Sequence, residues 1–167
     1  MSEKIEKHLA RTFAAESKAS ARNEAFALMA ERDGYANLAR LFRAVSNAES
    51  VHARRFLLLM RGKIGTTRDN LEDAYQFEIK ATRDLYPGMV ENARSEDAPS
   101  AVKKAFAQSM RTDGEHADLY RDAMNDMLDE REIDYYVCQI CGHIHPGEVP
   151  ENCPICKAVR GRFKRII

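Results

Sequence analysis

Residues 38–60 read LARLFRAVSNAESVHARRFLLLM, and residues 102–124 read VKKAFAQSMRTDGEHADLYRDAM; the two stretches align without a gap at an offset of 64. Leu38 meets Val102, Phe42 meets Phe106, Phe56 meets Tyr120 and Met60 meets Met124. Inside this apolar frame, which recurs near helical spacing, the polar pair Glu49 and His52 meets Asp113 and His116. Two copies of one amphipathic helix with a carboxylate-x-x-His pair in the same register predict a duplicated helical unit.

The duplication extends outward. The segment from Lys4 to Arg32 carries Ile5, Leu9, Phe13, Phe26 and Met29, and it aligns more weakly with a later segment at an offset of 62. There Phe13 meets Tyr75 and Glu16 meets Glu78. Asp33-Gly34 reads as a stop, and Gly62 and Gly65 bracket the next break. The third helix starts at Thr67 or Asp69, and Pro87-Gly88 should kink it. Asp97-Ala98-Pro99-Ser100 is a turn with Ser100 as a candidate N-cap, and a fourth helix runs to about Leu128. Four helices of this length with short connections predict an all-α antiparallel four-helix bundle over residues 1–134. Helical pattern disappears at Tyr135, where Gly, Pro and Cys become dense, so residues 135–167 form a second, small domain.

The spacing carries the chemistry. Residues at i and i+3 share a helix face, so Glu49 and His52 can reach one point, as can Asp113 and His116. Each hairpin adds one carboxylate from its first helix, Glu16 or Glu78. A lone Glu-x-x-His usually lies on a solvated face. Here the pattern occurs twice, in register with the apolar repeat. Four carboxylates and two imidazoles are too costly to bury uncompensated. Two divalent cations offset them, and this ligand mix suits iron or manganese. Glu115 is a neighbouring alternative to Asp113, but it points one helical step away from His116, so Asp113 is preferred.

The end of the chain holds Cys138-Gln-Ile-Cys141 and, after eleven intervening residues, Cys153-Pro-Ile-Cys156. Paired Cys-x-x-Cys turns present four thiolates to one ion, either zinc, which would be purely structural, or iron, which would carry one electron. His143 and His145 are spare, because four cysteines complete the shell. The segment has too few apolar residues to fold on a core alone, so the metal must staple it.

Composition narrows the class. The chain has 167 residues with 31% charged and 44% apolar, no tryptophan, five prolines and eight glycines. Net charge is zero, which gives no reason to expect nucleic acid or an anionic membrane as partner. From Tyr135 onward five basic residues face two acidic ones, leaving the helical part mildly acidic. That asymmetry suits docking of the appendix on the helices, or simply a solvated basic tail. No apolar leader or membrane-length run is visible, so a cytoplasmic location is expected, where paired cysteines read as metal or redox groups.

These motifs together resemble the rubrerythrin family over nearly the whole chain. The carriers are Glu16 in Phe-Ala-Ala-Glu-Ser, Glu49-Ser-Val-His52-Ala-Arg-Arg-Phe, Glu78 ahead of Tyr86-Pro87, the Asp113/His116 pair, and the compact cysteine end with Cys141-Gly-His-Ile-His-Pro-Gly. The resemblance implies a ferritin-like four-helix bundle followed by a rubredoxin-like metal-binding β-knuckle. It implies a non-haem di-iron centre held by Glu16, Glu49, His52, Glu78, Asp113 and His116, and a mononuclear iron on Cys138, Cys141, Cys153 and Cys156. Zinc in the cysteine site is an alternative.

Family members reduce hydrogen peroxide to water. Electrons come from a separate donor, a rubredoxin or a pyridine-nucleotide-dependent reductase, and cross from the knuckle to the di-iron site, usually in the neighbouring subunit of a homodimer. Two positions depart from the family. Its extra third-helix Glu, which exchanges with a histidine, is Ala81 here, with Ala19 opposite in the repeat, and Asp113 replaces the usual Glu. A ferroxidase or oxygen-reducing iron-handling protein is therefore a rival reading. A non-enzymatic zinc-ribbon module on a helical bundle is a third.

Overall fold

The computed structural model describes residues 1–127 and 132–167, so the expected helix end at Leu128 lies outside the described residues. The chain divides into two compact units, Met1–Thr66 and Thr67–Ile167.

The first unit is a hairpin of α1 (Glu3–Arg32) and α2 (Ala36–Leu59). Ser2 caps α1 by accepting from the Ile5 amide at 3.4 Å, with Glu3 and Glu6 complementing the helix dipole. The stop is Gly34, at φ +84°. Its amide bonds the Glu31 carbonyl at 3.1 Å and the Tyr35 amide bonds that of Ala30 at 2.8 Å, so the orphaned helix-end carbonyls are satisfied. Small residues line the helix–helix seam: Ala27, Ala30, Ala39, Ser46 and Ala53 are buried. They let the backbones approach closely enough for Ser20 and Ser46 to exchange hydroxyl-to-carbonyl bonds, each 2.9 Å. Ser46→Ala removes one buried bond worth about 1 kcal/mol. It should lower the melting midpoint by about 2–4 °C for a chain of this size; an unchanged melt would mean the pair contributes nothing. A two-helix unit can bury only one stripe of each helix, and Leu41 and Leu59 are 57% and 61% exposed.

The second unit opens with α3 (Thr67–Lys80), a π-helical turn (Ala81–Leu85), α4 (Tyr86–Ser95) and α5 (Ser100–Asn125). The irregularity expected at Pro87 sits one turn earlier, because Pro87 occupies the first turn of α4. A proline there has no amide to donate and its ring crowds the carbonyl four residues back. The wider turn relieves both, with the Tyr86 amide reaching back to the Ala81 carbonyl. Thr82 reinforces it, its hydroxyl donating to the carbonyls of Glu78 at 2.9 Å and Ile79 at 3.0 Å.

The duplication reaches the connection between α4 and α5. Asp97 takes a left-handed φ of 48°, its amide bonds Arg94 at 3.2 Å and the Ala98 amide bonds Ala93 at 3.0 Å, repeating the closure at Gly34. Lys103 holds the Asp97 carboxylate at 2.6 Å. Ser100 is the first residue of α5 rather than its cap; the Pro99 carbonyl takes the amides of Val102 and Lys103 at 2.9 and 3.1 Å.

The same unit ends in a three-stranded antiparallel sheet ordered β2-β1-β3, built from β1 (Tyr135–Cys138), β2 (Ile144–Pro146) and β3 (Phe163–Ile166). Each Cys-x-x-Cys turn closes on a left-handed residue directly after its second cysteine, Gly142 at φ +82° and Lys157 at φ +63°. The Gly142 amide bonds the Cys138 carbonyl at 2.9 Å and that of Lys157 bonds Cys153 at 3.0 Å. These turns aim both cysteine pairs at one point.

Candidate metal centres

Each unit carries one carboxylate–histidine triad. In the first, α1 supplies Glu16 and α2 supplies Glu49 and His52; one ligand atom from each lies within 4.8 Å of the others. The Nδ1 of His52 is 3.0 Å from Glu49 Oε2 and 3.8 Å from Glu16 Oε2. In the second, α3 supplies Glu78 and α5 supplies Asp113 and His116, again within 4.8 Å. The Nδ1 of His116 lies 3.7 Å from both Glu78 Oε1 and Asp113 Oδ1. The two triads thus present the same atoms in the same roles.

Their electrostatics differ with burial. The His52 side chain is 48% exposed and the His116 side chain 18%. Interaction with Glu49 holds Glu16 above the usual carboxyl value, and interaction with Glu16 and His52 holds Glu49 below it. Burial, then the Asp113 charge, pushes Glu78 up. The Tyr86 phenol is also pushed up, by burial and by the Asp113 carboxylate beside it. Like charges converging on one point form a donor set that divalent cations relieve. Ala81, at the start of the π-helical turn, is buried and brings only a methyl group.

The third cluster is Cys138, Cys141, Cys153 and Cys156, within 4.8 Å of one another. Sγ atoms of Cys138 and Cys156 are 3.7 Å apart and those of Cys141 and Cys153 are 3.6 Å apart. A tetrahedron with metal–sulfur bonds of about 2.3 Å has edges of roughly 3.8 Å. The separations fit that cage and are far too long for a disulfide, about 2.05 Å. Burial raises the thiols of Cys141 and Cys156 above their usual value. Burial also opposes ionisation of Cys138, but the amides of Ile140 and Cys141 outweigh it and hold that thiol low. Four thiols that cannot all ionise on their own are suited to a cation that supplies the missing charge.

A model of the family described as rubrerythrin matches residues 7–124, and one described as the rubrerythrin rubredoxin-like domain matches residues 136–164. The chain belongs to the rubrerythrin family. Nigerythrin of Nitratidesulfovibrio vulgaris is 32% identical over 169 residues, which cover 93% of this chain and 83% of that protein. Rubrerythrin-2 of Clostridium acetobutylicum is 28% identical over 151 residues, covering 81% and 82%. Among solved structures, nigerythrin in a mixed-valence state has a TM-score of 0.57 at 31% identity, covering 96% of this chain and 86% of that one. A fully reduced, all-ferrous nigerythrin gives 0.57 at 30% identity. The helical fold with a small cysteine-bearing strand domain is therefore nigerythrin-like, and both kinds of family metal site have their residues here.

Three residues next to the family ligands have roles that helical periodicity does not reveal. Glu115, the sequence alternative to Asp113, turns away from the triad: its Oε2 accepts from Nδ1 of His143 at 2.6 Å. His143 is only 6% exposed, so it is no surface group. The Gly142 carbonyl accepts from Nε2 of His116 at 3.1 Å. A carbonyl can only accept, so Nε2 carries the proton and Nδ1 offers its lone pair toward Glu78 and Asp113. Such an outer partner orients a metal-binding histidine. Adjacency to Cys141 and His116 was the only signal in the sequence for these contacts.

Among the described residues, no helix is long and apolar enough to cross a membrane.

Proposed function

We propose that this chain is a rubrerythrin-type peroxidase that reduces hydrogen peroxide to water, with Glu16, Glu49, His52, Glu78, Asp113 and His116 holding two iron ions and the four cysteines holding a third. The observation that carries this reading is the geometry within each cluster: two triads, each with a histidine Nδ1 turned to two carboxylates, and four thiols at the separations of a metal cage. The all-ferrous nigerythrin supports iron as the metal. Bound iron would supply the redox chemistry, the ferrous pair as a two-electron reductant and the cysteine-held ion as a one-electron relay.

The balance is one peroxide, two electrons and two protons giving two waters. The protein's share is coordination and proton handling. Four carboxylates neutralise the ions, and the Gly142 carbonyl keeps His116 in the ligating tautomer. The Tyr86 phenol, pushed up by burial and by the Asp113 charge, remains protonated. We assign the physiological reductant to a separate donor protein, a rubredoxin or a pyridine-nucleotide-dependent reductase. The working form is a homodimer in the cytoplasm.

Ala81 favours one rival. Without an exchanging carboxylate at that position, the site could oxidise ferrous iron with oxygen instead. The test is to reduce the iron-loaded protein without oxygen and follow reoxidation of both chromophores after adding peroxide or oxygen. The peroxidase predicts reoxidation at least about tenfold faster with peroxide. Preference for oxygen supports the ferroxidase, and a cysteine-bound iron that stays reduced while peroxide persists overturns the peroxidase. Native protein holding one zinc and no iron would point to a zinc-ribbon module.

A further inference from the structure

We propose that each paired-metal site is built by two copies of this chain, the α1–α2 triad of one copy closing on the α3–α5 triad of the other through exchanged helical hairpins. Only one premise comes from the peroxidase reading, that the two triads share one metal pair. The exchange itself rests on chain lengths and exposed faces.

The connection between the hairpins is too short for any other closure. A ferritin-like bundle joins its hairpins by one long crossover. Its second and third helices run the same way, so the chain must return along the bundle before the third can start. The triads set the length of that return, because they must lie level to share metal. Glu49 stands ten residues before the end of α2 at Leu59, about 15 Å of helix. Glu78 stands eleven residues after the start of α3 at Thr67, about 16 Å. The crossover must therefore cover roughly 31 Å along the axis and roughly 8–10 Å sideways. Residues 60–66 are all that is available, and fully extended they bridge at most about 28 Å. They are not extended: Gly62 has a left-handed φ of +63°, and the Met60 amide turns back to the Leu57 carbonyl at 3.1 Å. A second copy removes the difficulty, since each hairpin then meets its complement without a crossover.

The exposed faces agree. Leu41, His52 and Leu59 are spaced by eleven and seven residues, which puts them on one face of α2. The two leucines are 57% and 61% exposed and the His52 side chain 48%. In the second unit, Phe77 and Leu85, 71% and 50% exposed, line an apolar groove of about 350 Å³ with Ala81, beside Glu78. Apolar surface of this kind beside metal ligands marks an interface. The duplication names its occupant. The hairpins are copies of one unit, so the surface that fits either is the other, and across this connection only a second chain can present it.

Two full-length variants, His52→Ala and His116→Ala, are expressed separately and together, with zinc in the knuckle and manganese(II) as the probe. The spin-coupled signal of a manganese pair reports complete sites. Wild type should give it, and each variant alone should lose most of it. Exchange combines first and second hairpins at random, so the co-expressed variants should recover about a quarter of the wild-type signal. In chains that close on themselves every site carries one defect, and a mixture no better than its components overturns the proposal. Inserting about twenty Gly/Ser residues between Lys63 and Ile64 adds a random-coil span of roughly 25 Å. It should let each chain close on itself and abolish the recovery; recovery that survives the insertion overturns the proposal too.

Metal-free melts decide the exchange separately. Tenfold dilution should lower the helical melting midpoint of wild type by about 2 °C and leave that of the lengthened chain unchanged. Equal behaviour of the two chains overturns the exchange. A wild type without a manganese-pair signal whose melt still follows concentration, while the lengthened chain's does not, refutes the shared metal site and leaves the exchange standing. No arm uses peroxide, so a protein that passes every arm yet ignores peroxide refutes the peroxidase reading alone.

Discussion

Cys153→Ser unfolds residues 135–167 and leaves the helices intact. Cys153 is 0% exposed and Cys138 1%, and between Tyr135 and Ile167 the only other buried side chain is His143. The knuckle's core is therefore the thiol cage itself. Metal binding to such a cage contributes on the order of 10–16 kcal/mol of folding free energy in small zinc domains. A sheet of three- and four-residue strands has no comparable reserve. Serine is a poor ligand for a soft-metal site, and three thiols leave the cage open. The expected result is loss of one metal per chain, collapse of knuckle amide dispersion, and helical circular dichroism within about a tenth of wild type. A variant that keeps a full metal complement and native knuckle spectra would refute it. Chelation of the wild type should act alike. It should also become easier as pH falls, because burial raises Cys141 and Cys156 and a proton competes with the metal for each thiolate.

The duplication made most of the helical part legible. A register of 64 residues pairs Glu49 with Asp113 and His52 with His116, and the structure gathers each pair with the carboxylate that the weaker register pairs, Glu16 and Glu78. Periodicity works there because every member sits on a helix face with fixed spacing. The cysteine cage was legible for a similar reason, since a Cys-x-x-Cys turn is a local geometry. What periodicity could not supply was anything set by competition or by distance along the chain. The π-helical turn at Ala81–Leu85 arises because Pro87 forbids one hydrogen bond and Thr82 offers another, a balance invisible in a hydrophobic pattern. Ser100 has the right residue type for a cap, but Pro99 already fixes an extended φ and ψ of −52° and 144° and takes that position. Glu115 and His143 stand 28 residues apart on different kinds of structure, and no spacing rule links them.

Glu78→Gln should stabilise the metal-free protein at neutral pH while crippling its metal site. Glu78 is the carboxyl that burial and the Asp113 charge hold above its ordinary value of 4.5. The sign follows from linkage. Folded Glu78 keeps its proton to higher pH than the unfolded chain does, so the folded state binds more protons through that interval. Metal-free stability therefore falls as pH rises from about 4.5 through the raised folded value, and the deficit persists at pH 7. Glutamine preserves the shape and removes the charge. The metal-free variant should melt about 2–4 °C above wild type at pH 7, the shift that ~1 kcal/mol gives in a chain of this size, with the gap closing toward pH 4. Metal reverses the ranking. A divalent ion uses the Glu78 charge that the empty site only suffers from, so loaded wild type should melt well above loaded variant. Losing an outer partner of a metal site already costs about 10–100-fold in affinity or activity. Loss of a ligand should therefore slow reoxidation by peroxide by at least about a hundredfold. Thermal melts of both proteins, with and without metal, from pH 4 to 8 decide the matter. A metal-free variant less stable than wild type at every pH would mean that Glu78 is a structural carboxylate, and an equal gain from metal in both proteins would remove it from the ligand set.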